Sequence, residues 1–396
     1  RYIESGRFPG TQLLIYRRGK IVHSTVQGFA DLERKAPMKD DTIFRIYSMT
    51  KPITSVAFMM LVEEGKVALD EPVAKYIPEW KNLGVFVAGT APAFLTRAPT
   101  RPMQIVDLLR HTSGLTYGFQ QRSNVDAAYR EKKIGEVIKA GTLDSMIEDL
   151  AKIPLEFSPG EAWNYSVSTD VLGYLVGKIA GMPFEQFLKE RIFKPLGMND
   201  TDFFVPADKV HRFAACYSAD PQGGFNPLAA ERKGTLTLQD DPTTSSFLSP
   251  PSLVSGGGGL CSTAADYLTF CRALLNGGEL GGVRLLGPKT LKLMASNHLP
   301  GGVDLPAMSR SMFAEAAYNG IGFGLGFAVT MHPAQTLIAG SPGEFNWGGA
   351  ATTSFFIDPA EELITIFMTQ VLPSSAYPLR RELRTMVYAA ITESNL

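Results

Sequence analysis

Strand-forming segments at the two ends of this 396-residue chain, with helical periodicity between them, restrict its fold more than any other feature. Near the N-terminus, QLLIYR and IVHSTVQGF read as two strands joined through Arg18-Gly19-Lys20, a hairpin signal. Ile321 to Val329, Ala351 to Ile357 and Leu363 to Thr369 return to apolar, β-branched composition. A last helix is expected from about Pro378 to the end, and the opening RYIESGRFPG looks like the tail of another. Strands at both ends with helices between them lead to the expectation of one sheet built from both termini.

The middle of the chain follows the helical period. After Ser48-Met49-Thr50-Lys51-Pro52, the residues Ile53, Val56, Ala57, Met60 and Leu61 share one helix face. Pro52 is tolerated only in a first turn, which puts the helix start near Ser48, and Gly65 is a stop signal. A helix from near Pro102 runs through Ile105, Val106, Leu108 and Leu109 to His111-Thr112-Ser113-Gly114. Another begins after Ser168 and buries Val171, Leu172, Leu175, Val176 and Ile179. Between them, Phe157 to Tyr165 is turn-rich and delivers Tyr165 to a helix N-terminus. Residues 218 to 259, rich in Pro, Gly, Ser and Thr, read as long loops over a cleft. Thr263-Ala264-Ala265-Asp266 then has the form of a capped helix start. The expected fold is α/β, with a mostly antiparallel sheet from about 1–65 and 255–396. A mainly helical lobe spans 66–254, and the site is expected between the two.

Composition narrows the function classes. Hydrophobic residues make 45% and charged residues 19%, with a net charge of -1, so the scattered Lys and Arg form no nucleic-acid footprint. Cys216, Cys261 and Cys271 form no C-x-x-C pair, which favours a reducing, cytoplasmic setting over a disulfide framework. His23, His111, His211, His298 and His332 show no metal-ligand spacing, so no metal or cofactor is expected. The longest uncharged run, Ala316 to Gly343, is interrupted by glycines, Asn319, Pro333 and Gln335, so no membrane span is expected. The chain begins at Arg1, which leaves an upstream segment or signal peptide open. Oligomeric state has no signature here.

Nucleophilic chemistry has one candidate arrangement. A G-x-S-x-G elbow is absent, Gly256 to Gly259 is followed by no Lys-Ser/Thr, and Gly322-Phe323-Gly324-Leu325-Gly326 misses G-x-G-x-x-G. What is left is Ser48-x-x-Lys51, which at a helix start puts both side chains on one face. Serine needs a neighbouring base, and a lysine serves if burial and positive potential disfavour its ammonium form. The helix N-terminus supplies such potential and favours an oxyanion near the Ser48 amide. A chain with this much Ser and Lys shows S-x-x-K about once by chance, and the bland alternative is a capping serine beside a solvated lysine.

The surrounding motifs decide between those readings. Phe8-Pro9-Gly10, Phe44 to Lys51, Leu108 to Leu115 and Phe157-Ser158-Pro159-Gly160 occur in this order, followed by Tyr165-Ser166, Pro195-Leu196-Gly197-Met198, Gly256 to Gly259 and Trp347-Gly348-Gly349. In that order and spacing the chain resembles the family VIII carboxylesterases, relatives of class C β-lactamases and penicillin-binding proteins. The resemblance implies a β-lactamase/transpeptidase-like fold with Ser48 as acylated nucleophile and Lys51 as its proton acceptor. Tyr165 would shuttle a proton to the leaving alcohol and from the deacylating water. Trp347-Gly348-Gly349 would stand where β-lactamases carry Lys-Thr-Gly on an edge strand, binding substrate. The Ala350 N–H would complete the oxyanion hole with that of Ser48. His111 is expected as a helix-end residue bonded to backbone, and the Ser113-Gly114 and tetraglycine elements as architecture.

Two departures separate the chain from the β-lactamase pattern. Val167 stands where those enzymes carry Asn, and Trp-Gly-Gly replaces Lys-Thr-Gly. Apolar groups in place of an amide and an ammonium suit small uncharged esters, unless a basic residue such as Arg310 restores a carboxylate contact. Two-step hydrolysis of short-chain carboxylic esters is therefore the favoured reaction. The alternatives are a β-lactamase, peptidase, amidase or acyltransferase on the same scaffold, or a catalytically silent penicillin-recognising protein.

Overall fold

The computed structural model describes residues 1–136, 141–219, 236–310 and 318–395. Its main sheet has eight strands: β1 (Gly10–Arg17), β2 (Lys20–Asp31), β3 (Ala36–Pro37), β4 (Ile321–Phe323), β5 (Ala328–Thr330), β6 (Phe345–Gly348), β7 (Ser354–Asp358) and β8 (Leu363–Met368). The order is β4-β5-β6-β7-β8-β1-β2-β3, antiparallel throughout. The first strand lies against the last, with Leu14 opposite Ile366, so the two ends do build one sheet. This is the β-lactamase/transpeptidase-like architecture.

Side-chain alternation explains why both faces are covered. Phe355, Ile357, Ile364, Ile366 and Met368 enter the large core with Tyr267 and Cys271 of α4 (Ala264–Leu275). Their neighbours Phe356, Leu363 and Phe367 enter a second core with Leu379, Leu383 and Val387 of the C-terminal helix, Leu379–Ala389. The period of two thus sends consecutive residues to opposite layers, and each fully buried side chain of this size contributes about 1.5–3 kcal/mol.

The helix after Ser48, α1 (Thr50–Glu63), is buried on every side from Thr50 to Leu61. The five apolar residues at helical spacing mark one face, but enclosure buries the rest. It packs against α3 (Ser168–Ala180), and the glycine run fits between them. Thr54 Oγ1 donates to the Gly256 carbonyl at 2.8 Å, and a Cβ at Gly256 would lie 2.6 Å from the Thr169 oxygen. Helix α2 covers only Ile105–Leu109; Asp107, in its first turn, accepts from the Gln104 N–H at 2.9 Å in a capping box that fixes its start. Thr263 caps α4 through the Asp266 N–H.

Four expectations need correction. Residues 2–6 form turns rather than the end of a helix. Ile321 to Val329 is a hairpin, β4 and β5, because Gly324 lies against the Met294 carbonyl and Gly326, at φ +111°, against Ser55. Strand β6 lies inside the sheet, between β5 and β7. Its ladder to β5 ends at Asn346, however, so Trp347 and Gly348 are edge-like on the cleft side. Of the loops expected at 218–259, residues 220–235 lie outside the described residues. Thr237–Asp240 and Cys216–Ser218 instead pair with each other, and Cys216–Ser218 also pairs with Val371–Leu372, in a small sheet.

Candidate active site

Ser48 sits in a single 3-10 turn, Tyr47–Met49, just before α1. Tyr47 precedes it at φ +42°, a left-handed conformation that costs a non-glycine residue roughly 1–2 kcal/mol. Burial against Cys216, Ala351 and Leu372 holds it there. Strain of this kind beside a serine at a helix start marks a functional position.

One turn on, Lys51 is 2% exposed. Its Nζ lies 2.6 Å from the Gly257 carbonyl oxygen, 3.0 Å from the Tyr117 hydroxyl and 3.5 Å from Ser48 Oγ. Burial pulls its pKa down from 10.5 to about 7, partly opposed by the charge of Asp170. Near neutrality a large fraction of Lys51 is therefore an unprotonated amine. The run at Gly256 to Gly259 is more than architecture: Gly257 supplies the acceptor that anchors Lys51, and a Cβ there would clash with Asp170 and Tyr117. Asp170 is itself fixed by Ser255 and by the Gly257 N–H at 3.1 Å.

Tyr165 closes the other side of Ser48. Its hydroxyl is hydrogen-bonded to Ser48 and accepts from Trp347 Nε1 at 3.4 Å, while Lys51 Nζ stands 4.5 Å from its ring centre. Burial raises its pKa and those two bonds oppose the rise, so the phenol keeps its proton. Tyr117 is also held well above its usual range, by burial and then by Asp170. His111, 1% exposed, bonds through Nδ1 to the Ser166 hydroxyl at 3.2 Å rather than to backbone, which corrects that expectation. Burial, with the charge of Lys51, holds its pKa well below 6.5, and its ring packs 5.1 Å from that of Tyr165.

Trp347, Gly348, Gly349 and Ala350 line the same cleft as Ser48 and Tyr165, a cavity of about 630 Å³. Gly349 N–H donates to the Thr353 carbonyl at 2.8 Å and Thr352 N–H to the Gly349 carbonyl at 3.2 Å. Ala350 is the second residue of that tight turn, and its own N–H is not used in closing it. A Cβ at Gly349 would come within 2.5 Å of the Ile46 oxygen, so only glycine lets this turn reach the Ser48 segment.

Two expectations about the walls change, and one residue is added to them. Val167 is fully buried and does not line the cleft. Arg310 does not line it either; its guanidinium covers the Phe157 ring at 5.2 Å. Arg380, on the C-terminal helix, does line it. The sequence reading missed Arg380, Tyr117 and the anchoring role of Gly257. Tyr117 lies two residues beyond the matched Ser113-Gly114-Leu115, and no spacing ties it to Lys51, 66 positions away. Among the described residues, no cluster of three or more His, Cys, Asp or Glu could hold a metal ion, and no helix is long and apolar enough to cross a membrane.

Known proteins are similar to this chain over most of its length. Protein Rv1367c of Mycobacterium tuberculosis is 36% identical over 374 residues, 93% of this chain and 88% of that protein. Esterase EstB of Burkholderia gladioli is 33% identical over 396 residues, 97% of this chain and 91% of that protein. The solved structure of EstCE1, described as a hydrolase with promiscuous acyltransferase activity, superposes with a TM-score of 0.78 at 28% identity, covering 97% of this chain and 95% of that one. The family model described as Beta-lactamase matches residues 1–389, and the chain belongs to the Beta-lactamase family.

Proposed function

We propose that this protein is a carboxylesterase of the family VIII type, hydrolysing short-chain carboxylic esters through an acyl-enzyme on Ser48. The observation that carries the reading is the placement of Ser48 between a buried Lys51, whose pKa burial lowers to about 7, and the protonated Tyr165. Environments that push two titratable groups apart assign the base and the acid. Ser48 Oγ attacks the ester carbonyl and its proton passes to Lys51 Nζ. Tyr165 delivers a proton to the leaving alkoxide, and the amides of Ser48 and Ala350 hold the oxyanion. Water then attacks the acyl group, giving up its proton through the same pair. The cleft lies between the sheet domain, 1–65 and 255–396, and the helical lobe, 66–254. Trp347, Gly348 and Gly349 form its substrate-facing wall. Similarity to Esterase EstB and to EstCE1 supports the esterase reading.

Transfer of the acyl group to an alcohol is a second reading. A 630 Å³ cavity walled by Phe119, Trp163, Leu253 and Leu372 leaves space for an apolar alcohol beside the acyl group, and EstCE1 carries that activity in its description.

Ester and β-lactam both offer a carbonyl to Ser48, so discrimination lies in what holds the rest of the molecule. Trp347 brings no ammonium for a lactam carboxylate, the Arg380 guanidinium is engaged with the Gly349 and Thr353 carbonyls, and Val167, buried outside the cleft, leaves the lactam side chain without the amide it would meet in a β-lactamase. An unsatisfied polar group in a desolvated cleft costs about 1–3 kcal/mol, so two such losses reduce turnover by roughly a hundredfold or more. The test is kcat/KM for nitrocefin beside a short p-nitrophenyl ester on one preparation. The ester is expected to exceed nitrocefin by that margin, and nitrocefin turnover at or above the ester's would reassign the protein as a β-lactamase.

A further inference from the structure

Arg380 reaches the cleft from the opposite side of the sheet, on the helix Leu379–Ala389. Its Nη2 donates to the Gly349 carbonyl at 2.9 Å and to the Thr353 carbonyl at 3.2 Å. These two carbonyls are the ones that close the turn around Ala350, since Thr352 N–H donates to the first and Gly349 N–H to the second. A single guanidinium nitrogen thus bridges both ends of the turn. Gly348 makes the approach possible, because a Cβ there would lie 2.5 Å from the Arg380 Nη2. The glycine that replaces the Thr of Lys-Thr-Gly is therefore the position through which the guanidinium enters.

We infer that Arg380 is a positioning residue for the reaction, locking the turn that presents the Ala350 amide and bringing a fixed positive charge into the catalytic cleft from the C-terminal helix. The inference rests on the Ser48 acyl-enzyme reading given above. It also accounts for how the site works with Trp347 where the β-lactamase pattern has lysine: the cation is supplied from another element. Adjacent residues of one strand connect the two groups, since Trp347 bonds to the Tyr165 hydroxyl while Gly348 abuts Arg380. The charged and titratable groups around Tyr165 are Lys51, His111, Tyr117, Asp170 and Arg380. Of the charges acting on the phenol, Asp170 makes it a weaker acid and Arg380 a stronger one.

The test compares Arg380→Lys, Arg380→Gln and the parent protein on a p-nitrophenyl ester, with kcat, KM and the pH profile of kcat measured for each. Misplacement of a catalytic group by about an ångström lowers rate up to roughly a hundredfold. Arg380→Gln is expected to lose about 10- to 100-fold in kcat with KM changed less than about threefold. Its acid limb, which follows Lys51, should stay with the parent's, because the groups that shift Lys51 are its burial and Asp170. Arg380→Lys, with a charge but a single point of donation, is expected to keep the parent pH profile and recover part of kcat. Wild-type kcat in Arg380→Gln, a loss that falls mainly on KM, or equal impairment of both variants would overturn the inference. If the Gln variant does not fold, the Lys variant decides alone: a shifted profile or a KM effect without a kcat effect overturns it. Intact-mass detection of Ser48 acylation in the parent protein, run in parallel, separates failure of this inference from failure of the esterase reading.

Discussion

The Nζ of Lys51 stands 3.5 Å from the Oγ of Ser48, at the outer limit of a hydrogen bond, because the Gly257 carbonyl holds the amine 2.6 Å away on its other side. Contacts of this kind tighten when substrate binds, and what the free enzyme needs is the neutral amine. With its pKa lowered by burial to about 7, Lys51 is protonated in acid and free above neutrality. The profile of kcat/KM, which reports the free enzyme, is therefore expected to rise through about pH 7 and level off on the alkaline side. Full activity retained at pH 5 would point to a carboxylate base instead.

Substitutions should separate the members of the relay. Ser48→Ala is expected to abolish ester hydrolysis, and Lys51→Ala and Tyr165→Phe each to lower kcat by about 10²–10⁴-fold. Because one proton path uses both groups, Lys51→Ala/Tyr165→Phe should be little worse than the worse single variant. Tyr117→Phe removes only the 3.0 Å bond to Lys51 and should cost about 3- to 10-fold, the scale of one hydrogen bond. Steady-state kinetics on the purified set, with circular dichroism to verify folding, checks the order; a double variant at the product of the two single losses would contradict a shared path.

Tyr117 shows where the sequence stops being informative. Ser48, Lys51 and Tyr165 were legible because each lies in a short motif, and the order of those motifs identified the architecture that brings them together. Tyr117 lies in no such motif, and its partner is 66 residues away. Arg380 was hidden for the same reason, since its partners are backbone carbonyls of a turn 31 and 27 positions earlier. Ile321 to Val329 reads as one strand by composition, whereas it turns at glycines that answer to Met294 and Ser55, contacts that no local pattern encodes. Local periodicity located α1 and α3, yet the burial of α1 on all sides, which sets the pKa of Lys51, comes only from packing.

That burial carries a stability consequence. The folded-state pKa of Lys51 is about 7, against about 10.4 in an unfolded chain. Between these values the unfolded state binds more protons, so stability rises with pH. The contribution is fully present above about 10.4 and is lost as pH falls toward 7, on the order of 5 kcal/mol in all. Lys51→Met lacks this proton linkage. The urea midpoint of the wild-type protein should therefore gain on that of Lys51→Met between pH 7 and 9.5, and parallel curves would show that Lys51 is not held in its depressed state.

The most direct measurement of the central claim is intact-mass analysis with peptide mapping after incubation with an activated short-chain ester, using Tyr165→Phe to slow deacylation. The account predicts one acyl group per chain, on the peptide containing Ser48, which disappears when Ser48→Ala is introduced into the same background. Turnover of the ester by Ser48→Ala at the wild-type rate, or acylation mapped to another residue, would contradict it.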